Sequence, residues 1–579
     1  MRNRTLALLL GLLMVLAACG DDDTATSTTT QPGTETTGGA STTVPGDTTT
    51  APPTAEGGTV RIGWGGAPSS LNPGLGELTE DYTVYELIYN TPITLDMDGN
   101  YVPELATDWS VSEDGLVWTM NLVEGATFHD GTPLTSEDVK YTLELYRDCG
   151  DWCVYMSSYF DGDEVIEAPD PTTVTITKTV PTGSFEGRMV FMYILPKHIW
   201  EGVDPGTFDN TEMIGSGSFT LVEHRQGEYV RLAANGDYWD GAPLVDEVIF
   251  QTFENADARV QALINGDVDM ITEFPATAIG TLESNPNITV ATGEPLAPDL
   301  TDIIFNITEP ENCPAEDGVC SGHPALRDLQ VRLALAHAVD KQQLINTLLL
   351  GLGTPGIAIV PTGLGDWFND TIEDYPFDLA EANRILDEAG YLDTNNNGVR
   401  ECPASMDCGD RTELSLRMNF PDDSDTGPRL AQTLADWWEQ VGVDVQIQVL
   451  DPDTLTSVCC PSLDFDVILW GWGSDPDPGF LLSALTCDEI PTGLSESGYC
   501  NPAYDELFYA QQAETDLQTR IGMVHEMQQI LWEDLPYIIP YCALSSEAYR
   551  HDRFVGWITD ATKIALEDPS SLNVIRPAG

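Results

Sequence analysis

The sequence predicts a large α/β protein, and three observations carry that reading. Short alternating runs at residues 59–64, 117–122 and 443–450 have the period of half-buried strands. Helical patterns with their own start and stop signals lie between such runs: residues 378–389 open on Asp378 and stop at Gly390. Helix and strand patterns alternate throughout with no repeat period, which is the order of an α/β chain rather than of separate helical and strand halves. At 579 residues the chain is too long for one ordinary domain, and 42% hydrophobic content is enough for more than one core.

Taken in order, the chain opens with Arg2 and Arg4 and an apolar run at 6–16, too short to span a bilayer. Leu16-Ala17-Ala18-Cys19 resembles the lipobox of bacterial lipoproteins, which implies cleavage before Cys19 and a diacylglyceryl group on its sulfur. The other reading is an ordinary secretory signal with a chance cysteine. No later segment reaches 18 uninterrupted apolar residues, so no second membrane span is expected. Residues 20–57 are threonine, serine, glycine, proline and a few acids. They cannot bury a core and are expected to form a disordered tether with a root-mean-square span of roughly 35 Å.

The globular part begins with the strand at 59–64, followed by a turn-rich loop at 68–73. A hairpin is expected at 109–122, turning on 112–115. Thr135, with Asp138 three residues on, caps a helix that shares Val139, Leu143 and Tyr146 on one face. Further helices are expected at 324–350, 378–389 and 427–441, a strand at 443–450, and two helical patterns in 503–535.

Residues 465–479, FDVILWGWGSDPDPG, stand out. A short apolar strand breaks into Trp470, Gly471, Trp472 and Gly473 and then into an acidic, proline-punctuated turn that begins at Asp475. Indole walls, bare backbone and a carboxylate suit a ligand that offers a peptide backbone, an apolar side chain and a positive charge. The competing reading is a core strand that runs into a surface turn.

Charge narrows the partners. With 24 Lys and Arg against 94 Asp and Glu, the formal net is −70. Nucleic acid and anionic membrane surfaces are repelled by such a chain, so neither is an expected partner.

Several stretches match one family. The run LATDWSVSEDGLVWTMNLVEGATFHDGTPLTSEDVKYTLELYRD at 105–148 resembles the signature region of the family 5 extracellular solute-binding proteins, the peptide- and nickel-binding receptors of ABC importers. The segments at 214–219, 238–246, 263–271, 331–341, 385–390 and 499–507 resemble further pieces of the same family in the same order. The resemblance implies a two-lobed, periplasmic-binding-protein-like fold of three domains with a hinge between lobes. Domain I would take 58–95 plus 214–300 plus 546–579, domain II 96–213 and domain III 301–545, with crossings near 301–306 and 539–545. It also implies that Gly471, Trp472 and Gly473, beside Trp470, form a backbone-pairing strand and that Asp475 binds a peptide α-ammonium. Ser70 and Asn72 would lie on the facing rim of the cleft. The implied protein is a monomeric, lipid-anchored receptor on the outer face of a bacterial cytoplasmic membrane that hands peptides to an ABC permease. Receptors for nickel chelates or oligosaccharides are the alternatives within the family. A surface sensor or adhesion protein that has lost its transporter is the alternative outside it.

An enzyme is not expected. His525-Glu526 begins like a zincin helix, but Gln529 stands where the second histidine belongs, and no G-x-S-x-G elbow occurs. No cofactor is expected except a possible structural calcium, because Asp393, Asn395, Asn397 and Glu401 occupy positions 1, 3, 5 and 9 of a calcium-like loop. Position 12 is Ala404, and the simpler reading is an Asn/Gly turn. Near-neighbour cysteines suggest bridges Cys149/Cys153, Cys313/Cys320, Cys402/Cys408 and Cys487/Cys500. Cys459 or Cys460 would then bridge Cys542, leaving one odd thiol.

Overall fold

The structure, a computed structural model, describes residues 58–579 apart from positions 158, 316, 317, 423 and 425. Cys19 and the tether lie outside the described residues.

Three sheets organise the chain. A seven-stranded mixed sheet runs in the spatial order Ile288–Gly293, Ser545–Arg550, Met270–Ile271, Thr59–Trp64, Glu247–Thr252, Tyr229–Ala234, Phe219–Arg225. Early, middle and late segments therefore share one sheet, with Thr59–Trp64 parallel to Glu247–Thr252 and Met270–Ile271. A four-stranded antiparallel sheet follows the order Ala106–Val111, Val117–Leu122, Thr173–Thr177, Val165–Asp170. The third has six strands: Gly353–Thr354, Tyr537–Ala543, Asp299–Phe305, Val467–Gly473, Ser415–Pro421 and Asp444–Leu450.

Two large cores divide these sheets into two lobes. One joins the seven- and four-stranded sheets, and includes Val60, Trp118, Phe185 and Leu232. The rings of Trp118 and Phe185 stack at 4.1 Å inside it. The other fills the six-stranded sheet and its helices, from Leu300 to Cys542. The chain passes between the lobes at 294–298 and at 544, so Asp299–Phe305 is already a strand of the second lobe rather than the crossing expected at 301–306.

Local signals place most elements, with one exception. Thr135 and Asp138 form a capping box at Ser136–Arg147, and Asp378 caps Leu379–Ala389, which Gly390 ends with φ of 89°. The helix expected across 324–350 is instead a short 3-10 turn, Pro324–Arg327, followed by Leu329–His337 and Lys341–Leu348. Asp328 and Asp340 each accept a backbone N–H at the start of a new helix, at 3.0 Å from Gln330 and 2.9 Å from Gln343. Two internal caps outcompete one continuous helical pattern.

Cysteine pairing departs from expectation at one point. The structure joins Cys149–Cys153, Cys313–Cys320, Cys402–Cys408 and Cys487–Cys500, and also Cys459–Cys460, leaving Cys542 as a buried free thiol. Cys459 ends a helix packed on Ser415–Pro421, three strands across the sheet from Cys542. Three strand spacings are roughly 14 Å, and a disulfide needs Cα atoms within about 7 Å.

Candidate functional site

Val467–Gly473, the tryptophan strand, is the centre of the second lobe. On one side it pairs along its whole length with Asp299–Phe305, antiparallel, from Val467↔Phe305 to Gly473↔Asp299. On the other side Ser415–Pro421 runs parallel to it but meets it only at Met418↔Val467 and Asn419↔Ile468. Beyond Ile468 the two strands part, and no described strand pairs with that edge of residues 469–473. A cavity of about 90 Å³ fills the fork, lined by Thr301, Pro421, Thr426, Gly427, Leu469 and Trp470 among others. The helix Gly427–Glu439 begins at the same fork. An open strand edge at the carboxyl end of a neighbouring parallel strand is where open α/β sheets take ligands.

The two glycines do different work. A Cβ on Gly471 would lie 2.5 Å from the Leu300 carbonyl oxygen, so the backbone that approaches closely here is the chain's own. Gly473 has only the Asp299 carboxylate near its missing Cβ, at 3.2 Å. Both tryptophans are half-buried. The Trp472 Nε1–H donates to Glu496 Oε2 at 2.7 Å, and its ring meets the exposed Phe480 edge-on at 6.1 Å.

The strand ends in a turn whose two aspartates are separated by their partners. Asp477 is held by Arg520, which is 1% exposed, through both guanidinium nitrogens (2.7 Å from Nη2 to Oδ1). Asp475 has no hydrogen bond or ion pair among the described residues. Burial, and secondarily the Asp477 charge, push its carboxyl up to about 6. A half-buried carboxylate without a cation is one that a cationic ligand would stabilise. Ser474 Oγ donates to the Pro298 carbonyl at 2.5 Å, tying this turn to the passage between the lobes.

The same turn touches the other lobe. Arg520 Nη1 donates to Gly183 O at 3.1 Å, Gly183 N donates to Gln512 O at 2.8 Å, and the Tyr101 hydroxyl donates to Pro476 O at 3.3 Å. Arg520 also lies 4.8 Å over the Trp367 ring, and its Nε–H donates to Gln511 Oε1 at 2.7 Å.

The loop expected on the facing rim is spent on itself. Asn72 is 1% exposed; its amide donates to Pro205 O at 2.8 Å and Phe208 O at 3.0 Å, and its Oδ1 accepts from Gly74 N at 3.0 Å. It is a clamp between two loops of the first lobe, not a cleft residue. Ser70 gives its N–H to Asp81 at 3.1 Å, its carbonyl to Tyr85, and its Oγ to the Asn72 backbone. Short polar side chains in a Pro- and Ser-rich loop serve backbone groups as readily as ligands, and here they serve backbone.

The Asp393 loop is closed by its own groups. Asp393 accepts from Asn397 N at 3.1 Å and Gly398 N at 3.0 Å, and Glu401 accepts from Thr394 N at 2.7 Å. The Asn395 and Asn397 amides donate to Glu413 at 3.0 and 2.8 Å. Sequence spacing had no way to nominate Glu413.

Comparison with known proteins fits this geometry. Residues 100–491 match the family described as bacterial extracellular solute-binding proteins, family 5 Middle. The chain belongs to that family. Among curated relatives, the oligopeptide-binding protein AppA of Bacillus subtilis is 25% identical over 496 residues, covering 84% of this chain and 86% of AppA. Protein XP55 of Streptomyces lividans is 29% identical over 493 residues, covering 83% and 84%. The crystal structure of the ABC transporter substrate-binding protein CtaP of Listeria monocytogenes superposes with a TM-score of 0.73 at 26% identity, covering 90% of this chain and 99% of CtaP. This solute-binding protein thus has the two-lobed α/β fold of its family, and no described helix is long and apolar enough to cross a membrane.

Proposed function

We propose that this family 5 solute-binding protein captures short peptides between its lobes and delivers them to an ABC permease, tethered through Cys19 to the outer face of the cytoplasmic membrane. The observation that carries the reading is the open edge of the tryptophan strand, ending at the partnerless carboxylate of Asp475. An extended peptide adds to such an edge through its backbone, with its α-ammonium at Asp475 and a first side chain against the indoles. The name of the B. subtilis relative, an oligopeptide-binding protein, points the same way. Closure of the lobes follows from ligand that binds both faces at once, because ligand shifts a two-state equilibrium only through its differential affinity. The reading needs no chemistry on the ligand and no resident cofactor.

The test is native mass spectrometry of purified residues 58–579, with co-purified molecules released under denaturing conditions. A mixed set of short peptides is expected, and Asp475→Asn should weaken their retention by about 30-fold or more, the effect of about 2 kcal/mol lost from a buried charge pair. A sugar or metal chelate in the released fraction would move the ligand class within the family and remove the ammonium role of Asp475. An empty protein that ignores a peptide library would overturn the reading in favour of a sensor.

A further inference from the structure

The face of the sheet that carries the two indoles also carries an acid. Strand register sets Asp302 opposite Trp470 and Leu300 opposite Trp472, so these four side chains project to one side of the sheet. Asp302 is completely buried, and neither of its carboxylate oxygens has a hydrogen-bond partner among the described residues. Glu496, 7% exposed, approaches from a separate loop. Its Oε2 receives the Trp472 indole N–H at 2.7 Å and the Tyr537 hydroxyl at 3.2 Å.

The groups that face this pair are few. From the tryptophan strand come the two indoles and the Trp470 backbone, and from Tyr537–Ala543 comes Tyr537, whose own proton is held well above its ordinary range by burial. Among the described residues no lysine, arginine or histidine pairs with either carboxyl. Asp466, which directly precedes the tryptophan strand, is taken up by Arg411 and Arg417.

Donors decide which of the two carries charge. Glu496 has two donors on one oxygen, which stabilise its anion. Asp302 has only backbone N–H groups near it and no hydrogen bond to either carboxylate oxygen, so a second anion beside Glu496 would be buried with little compensation. Burial first, and the Glu496 charge second, push the Asp302 carboxyl well above its ordinary value, while burial pushes Glu496 up to about 7. The two titrate as a pair.

We propose that Asp302 is held as a neutral carboxylic acid at neutral pH and is a positioning residue: by staying uncharged it keeps Glu496 in place, and Glu496 keeps Trp472 against the ligand edge. Loss of the Asp302 proton to solvent sets two anions side by side, drives Glu496 off the indole N–H and frees Trp472. Ligand retention therefore falls on the alkaline side. The retention arm of this inference rests on the peptide reading above; the protonation arm does not.

Asp302→Asn replaces the neutral acid with a neutral isostere, while Asp302→Leu removes the polar group. In ligand-free protein, the infrared difference between wild type and Asp302→Asn at neutral pH is expected to show a protonated carboxyl C=O band belonging to wild type. The melting temperature of Asp302→Asn should rise relative to wild type as pH increases from about 4, where the unfolded aspartate ionises but the folded one does not, and level off once Asp302 ionises. In retention of the peptides that co-purify, Asp302→Asn should match wild type at pH 7 within about twofold. Above the pH at which Asp302 ionises, wild type should weaken relative to the variant by about tenfold per pH unit. An absent infrared band, or an Asp302→Asn protein that loses ligand at pH 7 while Asp302→Leu keeps it, would overturn the proposal. If the infrared band and the melting profile appear but no peptide is retained by any form, it is the peptide reading that fails.

Discussion

Asp475 has no cation of its own among the described residues, and if it takes a peptide ammonium as proposed, that sets how ligand binding depends on pH. With its carboxyl pushed up to about 6 in the ligand-free protein, it is neutral below that pH and gains nothing from an ammonium. Bound ammonium favours the anion and draws the value down, so retention should rise as pH climbs through about 6 and then level off. In the absence of ligand the sign is opposite. A carboxyl whose folded value is raised favours the fold below its unfolded value, and that advantage is lost as pH rises towards about 6. Peptide binding measured from pH 5 to 8 checks the first statement, and Asp475→Asn should flatten the acidic limb; an unchanged limb would assign it to another group. At this scale the sequence was legible where chemistry is local. Asp475 follows its strand directly and could be named. Asn72 could not be placed, because an amide beside a turn serves backbone and ligand equally well. Glu496 and Asp302 lie far apart in the chain; strand pairing sets Asp302 opposite Trp470, and a loop carries Glu496 to the Trp472 indole.

The tryptophan strand as an element was readable from its apolar run, but the fork beside it was not. That fork exists because Ser415–Pro421 leaves its neighbour after Asn419, where the sheet continues instead through Phe420↔Val449 and Pro421↔Leu450. Nothing in the periodicity of either strand encodes where two strands separate. The glycines show the same limit. Read from sequence, Gly471 looks like space for a ligand backbone; in the structure that space belongs to Leu300 O, which a Cβ at this position would meet at 2.5 Å. Gly471→Ala should therefore strain the pairing with Asp299–Phe305 and destabilise the lobe by about 1–3 kcal/mol, as overpacking does. Denaturant unfolding measures this directly. A neutral result would mean that the strand pair relaxes without cost, leaving Gly471 to the ligand.

Whole-molecule properties were legible in part. The interleaved patterns and the family motifs announced an α/β, two-lobed body, and the charge count announced self-repulsion. A formal net of −70 predicts that the melting temperature rises with added sodium chloride, because like charges about a Debye length apart, near 10 Å at 0.1 M salt, are screened. A melting temperature that does not change between low and high salt would mean that the acids are already spaced beyond mutual reach. What neither composition nor motif disclosed is how the lobes meet. The turn that presents Asp475 also holds Asp477 on Arg520, and Arg520 reaches across to Gly183 O. Gly183 has no room for a side chain, since a Cβ there would fall on the Glu514 carbonyl of the opposite lobe. Gly183→Val should hold this contact apart while leaving the Asp475 edge and both cores intact. If closure on ligand uses this contact, the variant pays the cost of opening in its affinity, and every 1.4 kcal/mol of lost closure weakens binding by about tenfold. Small-angle scattering should then show a larger radius of gyration than wild type, above all when peptide is present. Equal radii with equal affinities would place the closing contact elsewhere and leave the Arg520 cluster as a support for the Asp477 turn alone.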